Sequence, residues 1–494
     1  MTENSTSPTL RRNTLGLVAV ATMGAVVMSP AIGIFALFPV IEQTTGRIAP
    51  IIFLLTLLIS LPTAISYAMV ARNMASAGGG YTWLWNSTRP SIGLWLGWNI
   101  ITYYEVAVVA VIAIFGLFFE DAVQSVFGIA PGLGVWIIGL LVAIGLIALF
   151  TYLNIQVSAR VALGFLLFEA LTILALAVTI LIVRGHQGVV NAQPLNLANA
   201  TDGFNGIMLA LVIGVFSFAG YEIVSTVAEE AKTPKRYIPA ATVLSLVLVG
   251  VFWAFTSYGF SFGVSLSKLN AIAATGVTTP VTPIARIFWG GGDAFVIIAG
   301  LTSTLAVCLS DIVATSRTMY AMSRDSVIPS WFSRIHERHH TPWNALHVLI
   351  AIGIAVPILS GLWIGPTNTV NWWVTAMVFF ALCTYLFVNF ANIAYHWRYR
   401  RDQFNWITNF LIPVAGILID GFVLYRGFFV SLWGAGFEMG QSIIYFSVLW
   451  AVLGAAFAYW RLRKLPQLRE RKSFILEHEA PAEELGGVAQ IEAE

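Results

Sequence analysis

Charge is what this 494-residue sequence has least of. Asp, Glu, Lys and Arg make up only 10% of it, against 58% hydrophobic residues, whereas soluble domains carry about 25% charged residues. So little polar side chain cannot cover a water-facing surface, which excludes an ordinary soluble protein. Neither sign dominates, since 26 Lys and Arg stand against 24 Asp and Glu, and the basic excess of a nucleic-acid binder is missing. Cysteine is almost absent. Cys308 and Cys383 both fall in apolar runs, so neither a disulfide framework nor a four-cysteine metal site organises the fold. No G-x-x-x-x-G-K-[ST] occurs, which leaves nucleotide-driven pumping unsupported. The glycine runs 78–80 and 290–292 lack the strand context of a dinucleotide loop. The first apolar run, nearly thirty residues long, has no small-residue cleavage site and reads as a retained span rather than a signal peptide.

What is abundant is long hydrophobic sequence. Mean hydropathy is +0.81, and aromatic residues reach 13% with 17 Trp, as suits lipid-facing and interfacial surfaces. A hydrocarbon core about 30 Å thick takes roughly 20 apolar residues of helix. Twelve runs qualify: 14–41, 48–70, 91–119, 133–151, 158–184, 204–230, 238–262, 293–322, 343–361, 369–395, 406–426 and 441–463. Open sheets leave unpaired amides in lipid and barrel strands are shorter, so all twelve are expected to be helices of an all-α membrane protein. Basic residues in alternate connections divide 21 to 5, with Arg11, Arg12, Lys232, Lys235, Arg236 and the six from Arg461 to Lys472 on the richer side. The positive-inside rule then puts both termini in the cytoplasm of a multi-pass plasma-membrane protein. The tail turns from basic (461–472) to acidic (477–494), as a solvated segment would.

Two runs carry helix breakers at matching places. The first contains Gly24 and then Ser29-Pro30-Ala31-Ile32-Gly33, and the sixth contains Gly214 and then Ser217-Phe218-Ala219-Gly220. Matching interruptions in two halves point to discontinuous helices around a transporter's mid-membrane site. Ser29 reads as an N-cap and Pro30 as the first-turn residue of an outer half-helix. The amides of Ala31, Ile32 and Gly33 would then be free to hold a carboxylate, while carbonyls ahead of the break accept from an ammonium group. For either run alone an ordinary kink explains the residues equally well; the coincidence of two favours a binding site.

Three blocks carry a family resemblance. One is Phe216-Ser217-Phe218-Ala219-Gly220-Tyr221-Glu222 with Glu229-Glu230-Ala231-Lys232-Thr233-Pro234; the second is Ala77-Gly78-Gly79-Gly80-Tyr81-Thr82-Trp83 leading to Gly97-Trp98; the third is Ala314-Thr315-Ser316-Arg317-Thr318-Met319-Tyr320-Ala321-Met322-Ser323-Arg324-Asp325. Together they resemble the amino acid–polyamine–organocation transporters over roughly residues 10–465, nearest to bacterial amino acid permeases and putrescine importers. The resemblance implies a leucine-transporter-type fold, with ten core helices in a five-plus-five inverted repeat within residues 14–395 and discontinuous helices 1 and 6. It further implies peripheral helices 11 and 12 within 396–463, cytoplasmic segments at 1–13 and 464–494, and secondary active transport by alternating access. The chain departs from the family's Gly-Ser-Gly-type segment in span 1. Pro30 removes one N–H donor there, which disfavours an ordinary α-amino-acid pose.

An ionisable side chain at membrane depth costs at least about 2.5 kcal/mol, so each needs a partner, water or a function. Glu105 in span 3, Glu169 in span 5, Glu222 in span 6 and Asp311 in span 8 stand out, and no Lys or Arg lies deep enough to pair with all four. That surplus suits a cationic substrate group, a coupling cation or carboxyls kept protonated. By the resemblance, Asp311 falls at a substrate-lining place and accepts from an ammonium; capping a hydroxyl such as Ser310 is the structural alternative. Glu222 matches an acid used in gating or proton coupling, alternatively an N-cap of the inner half-helix. Glu169 lies where some proton-coupled relatives carry a lysine, near where sodium-coupled ones hold an ion. Glu105 faces an inner vestibule or bonds another helix. Phe216 takes the place of an aromatic gate able to cover an amine, with core packing as the alternative, and Tyr104 and Tyr385 are lesser gate candidates. The expected substrate-binding set is thus Ser29, Ala31, Ile32, Gly33, Phe216, Ser217, Ala219, Gly220 and Asp311. Tyr104, Glu105, Glu169, Glu222 and Tyr385 form the coupling or gating set.

His336-Glu337-Arg338-His339-His340 matches H-E-x-x-H, but it sits in the connection after span 8 with no third ligand nearby, so no zinc site is expected. A channel or a membrane enzyme would need a filter ring or a catalytic triad, and neither is visible. The reading is a secondary importer of an amino acid or related amine, proton-coupled, not an enzyme and without a cofactor. Its partners would be that solute, a proton or sodium ion and the lipid bilayer, in a monomer or weak homo-oligomer. The alternative is a polyamine (putrescine-like) importer or an amine/amino acid antiporter.

Overall fold

The computed structural model describes residues 10, 12–151, 155–201, 203–274 and 280–475, leaving out the side chains of residues 155–158, 216, 273, 274, 435 and 439. Among the described residues every regular element is helical, and the one strand-like contact is a parallel bridge between Leu15 and Ala231. The first half runs α1 (Leu17–Met28), α2 (Pro30–Ile32), a π-helical turn (Gly33–Leu37), α3 (Phe38–Thr45), α4 (Ala49–Asn73), α5 (Gly80–Ser87), α6 (Pro90–Phe127), α7 (Leu133–Thr151) and α8 (Ile155–His186). The second runs α9 (Gly203–Ser217), a 3-10 stretch (Tyr221–Glu230), α10 (Pro234–Phe260), α11 (Leu266–Ala274), α12 (Val281–Trp289), α13 (Asp293–Arg324), α14 (Trp343–Ile364), α15 (Pro366–Tyr399), α16 (Ile412–Leu424) and α17 (Ser442–Lys464). Prolines open many of them, at a position whose N–H has no helical partner in any case; Gly365 (φ 81) closes α14 just before Pro366 starts α15.

Eleven helices among the described residues are long and apolar enough to cross a membrane. The run expected at 204–230 is the exception: its apolar helix is short, Gly203–Val215, because Gly220 takes φ 117, where a right-handed helix cannot continue. Apolar residues lie all round these helices, since one side meets protein and the other lipid. In α7, Trp136, Leu140 and Ile147 are buried while Ile138, Leu141 and Leu149 are exposed. The most enclosed helices are α6 and α13, which pack on each other, with α15 against α6 and α8 against α13, while α4 and α10 pair with one another.

The ends of these helices gather on two faces. On one, here the terminal face, the Thr14 and Leu15 amides donate to the Glu230 carbonyl at 2.9 and 3.0 Å, and the Arg461 guanidinium donates to the Ser326 carbonyl at 2.8 Å. On the other, Thr201 N–H donates to the Thr45 carbonyl at 3.1 Å, and Arg47 and Arg184 donate to the Val264 and Phe262 carbonyls at 3.2 and 3.1 Å.

Candidate functional site

α1 stops at Met28 because Ser29 adopts a left-handed backbone (φ 52, ψ 88), and the chain restarts at once with Pro30. Against this break packs the turn after α9. A methyl group on Gly220 would stand 2.3 Å from Val27 Cγ1, so only glycine lets the two segments meet. Where they meet lies a cavity of about 460 Å³, within the range of roughly 300–1,000 Å³ usual for small-molecule sites. Its floor holds Ser29, Tyr103, Ser217, Ala219 and Asp311, and it extends to Gln43, Pro280, Thr367 and Asn371, away from the terminal face. Apolar side chains, among them Val27, Ile32, Val111, Ile114, Val374 and Met377, make most of the wall.

Asp311 is 1% exposed, and neither carboxylate oxygen has a hydrogen-bond partner among the described residues, Ser310 included. Glu105, one helix away, is buried with both oxygens equally unpartnered, but it does not line the cavity.

The amides expected to be free at the break are all engaged. Ala31 N–H donates to Glu169 Oε2 at 3.3 Å, Ile32 N–H to Ser29 Oγ at 3.1 Å, and Gly33 N–H to the Ser29 carbonyl at 3.0 Å. Ser29 Oγ also lies 2.6 Å from Ser303 Oγ. Glu169, wholly buried, thus supplies from α8 the carboxylate that the break was expected to take from solution. Gly33 does not face the cavity either: its α-carbon lies under the Trp253 ring, whose Nε1 donates to the Pro30 carbonyl at 3.2 Å. Of the expected binding set, Ser29, Ile32, Ser217, Ala219 and Asp311 line the cavity, whereas Ala31, Gly33 and Gly220 do not. The Phe216 side chain lies outside the described residues, as does the acidic tail after residue 475.

Beneath the cavity two of the coupling candidates, Glu222 and Tyr385, form one cluster, while Glu169 lies at the first break and Glu105 stands apart. Glu222 Oε2 accepts from the Tyr385 hydroxyl at 2.8 Å and from the N–H of Gly220, the N-cap of the 3-10 stretch, at 3.0 Å, so the carboxylate both caps that stretch and ties the turn to α15. Tyr385 stacks on Tyr221 at 5.6 Å, and Tyr67 meets both rings edge-on. Tyr104 is buried against Tyr103 at 4.7 Å and does not reach the cavity.

Between this aromatic layer and the terminal face lie two ion pairs. Arg317 holds Glu230 through two bonds of 3.0 and 3.2 Å, both side chains 1% exposed, and Arg324 holds Glu229 through two of 2.9 Å. Glu229 also accepts from Ala77 N–H at 3.0 Å, drawing in the connection between α4 and α5. Residues 471–475 lie across this layer. Ser473 Oγ donates to Asp325 Oδ2 at 2.5 Å, Ser473 and Asn86 exchange two backbone-to-amide bonds of 3.0 Å, Trp85 Nε1 donates to the Arg471 carbonyl at 3.0 Å, and the Arg324 guanidinium sits 4.0 Å over the Phe474 ring. Burial pushes the Asp325 carboxyl above the usual carboxylate range, against the lowering pull of the Ser473 and Tyr81 hydroxyls and of Arg324.

Sequence comparison decides the family, for a family model described as amino acid permease matches residues 19–468. The chain belongs to the amino acid permease family, within the amino acid–polyamine–organocation superfamily. The permease is 26% identical to the low-affinity putrescine importer PlaP of Escherichia coli strain K12, over 92% of this chain and 95% of that one. It is 28% identical to the branched-chain amino acid permease BcaP of Bacillus subtilis, over 63% of this chain and 68% of the relative, and 27% identical to the human cystine/glutamate transporter, over 64% and 62%. It is thus a multi-pass membrane protein of a transporter family.

Two further membrane-buried acids of the permease escaped the sequence reading. Asp420 on α16 accepts from Thr63 at 2.8 Å and Asn389 at 3.2 Å, and Glu42 on α3 accepts from Ser261 at 2.9 Å and from Ala49 N–H at 3.3 Å. Asp420 lies within the run 406–426, so the depth criterion used for the other four would have found it at once, whereas Glu42 falls one residue past the end of the run 14–41. Around the H-E-x-x-H sequence the chain forms a single turn closed by the His340 N–H, which donates to the His336 carbonyl at 2.9 Å, and the His336 ring is stacked 3.8 Å from Trp343.

Proposed function

We propose that the permease is a secondary active importer of an amino acid or related amine, driven by a proton gradient and working by alternating access in the plasma membrane with both termini cytoplasmic. One observation carries this reading. The cavity at the two helix breaks leads away from the terminal face, while on the terminal side an aromatic layer and two bidentate ion pairs stand in the way. Such an arrangement suits an outward-facing state in which Glu229, Glu230, Arg317 and Arg324 form the closed inner gate. The fold proposed is the five-plus-five inverted repeat within residues 14–395, with discontinuous helices 1 and 6. Counting α9 with the 3-10 stretch after it as the sixth span gives twelve, and α16 and α17 within residues 396–463 are peripheral. Segments 1–13 and 464–494 would be cytoplasmic. Asp311 is assigned to the substrate ammonium, and Glu222 with Tyr385 to proton coupling, since this carboxylate pins the turn that must move.

The test is uptake into proteoliposomes with an imposed pH gradient, with and without sodium, competed by amino acids, putrescine and ethanolamine. Accumulation that follows the pH gradient and ignores sodium supports proton coupling; equilibration without accumulation would remove it. A putrescine importer or an exchanger is the second reading, favoured by the extent of the likeness to the putrescine importer. Competition by diamines alone, or uptake only against a preloaded solute, would select it.

A further inference from the structure

The chemistry of the cavity is lopsided. A peptide N–H carries one proton, and those of Ala31, Ile32, Gly33 and Gly220 are all spent on protein acceptors. Among the described residues no Lys, Arg or His lines the cavity. A carboxylate arriving with an amino acid would find no cation among them and none of these four peptide donors free, and an ionised group buried without partners is strongly disfavoured. Asp311 presents the opposite case: both oxygens are unpartnered, the side chain is almost wholly buried, and it lines the cavity floor. It is also the one charged side chain among the described residues that does so. Beyond it the wall is mainly aliphatic, so the second ammonium of a diamine would meet only neutral groups such as Gln43 and Asn371.

We propose that the solute is a single-headed organic cation, a primary amine with an apolar body and no carboxylate, whose ammonium donates to Asp311 while its hydrocarbon lies along Val111, Ile114 and Val374. Glu169 is then a specificity-determining residue, occupying from within the protein the place an amino acid's carboxylate would claim. This rests on the transport reading above and narrows its substrate class.

The test pairs each amino acid with the amine that differs only by loss of the carboxylate: leucine with isoamylamine, phenylalanine with phenethylamine, and putrescine alongside. Binding to the purified full-length permease is measured by calorimetry, and uptake in proteoliposomes from the same preparation. The amine of each pair should bind about tenfold or more tighter than its amino acid, as the cost of burying an unpaired carboxylate implies, and tighter than putrescine. In Asp311→Asn that binding should vanish. The proposal is overturned if the amino acid of a pair binds as well as its amine, if putrescine binds more tightly than both amines, or if no member of the panel binds. Should Asp311→Asn fail to fold, the paired comparison on the unaltered protein decides alone. Amine binding without gradient-driven uptake would sink the transport reading and leave this inference standing, whereas accumulation of amino acids with amines excluded would do the reverse.

Discussion

Gly33 illustrates how single positions hold the site together. Its helical backbone lies so close to the Trp253 indole that a Cβ would come within 2.3 Å of the ring, and the indole has no room to swing because its Nε1 is bonded to the Pro30 carbonyl. Gly33→Ala should lower stability by about 1–3 kcal/mol through overpacking, read as a lower unfolding temperature in detergent. Glu222 calls for a different test. Gln retains an oxygen to accept from Gly220 N–H and the Tyr385 hydroxyl but carries no titratable proton, so Glu222→Gln should leave folding and solute exchange nearly intact while abolishing accumulation under a pH gradient. Equal loss of exchange and accumulation would count against a coupling role. At this scale the four acids chosen by depth are all buried, yet their surroundings could not be read from the chain. That Glu169 reaches Ala31 depends on α8 crossing beside the break, a contact 138 positions apart in sequence.

Among the elements, eleven of the twelve apolar runs correspond to helices long and apolar enough to cross a membrane, because length and hydrophobicity dominate what lipid permits. The ion pairs near the terminal face were less legible, although the spacing contained them. Arg317 and Arg324 are seven residues apart on α13, two helical turns, and so share a face, while Glu229 and Glu230 are adjacent at the end of the 3-10 stretch. What the sequence does not state is that these segments touch. Breaking the buried Arg317–Glu230 pair from one side should be worse than removing it whole, because a lone buried charge is left behind. Arg317→Met should cost about 3–5 kcal/mol, and Arg317→Met combined with Glu230→Gln should recover a large part of it. Thermal unfolding of the single and double variants checks this, and a double variant no better than the single would argue against direct pairing.

For the molecule as a whole, residues 471–475 join the carboxyl-terminal segment to α5, to the end of α13 and, through Arg324, to its ion pair with Glu229. Each hydrogen bond contributes about 1 kcal/mol net, so ending the chain at residue 470 should raise the inward-open fraction about fivefold or more. Thiol labelling from the terminal side of a cysteine placed at Ala77, with Cys308 and Cys383 replaced, measures it; unchanged labelling would show the strap to be a passenger. The sequence marked this region only as a change from basic to acidic composition, since an extended strap carries no periodic signal.

The 2.5 Å contact between Ser473 Oγ and Asp325 has one further consequence. A hydroxyl pressed that closely on an acid tolerates no esterification: a phosphoryl group on Ser473 would bring two negative charges into collision. Chemistry performed on this one buried serine, which does not line the cavity, would thereby evict the strap and reset the resting poise of the carrier without touching the solute's berth.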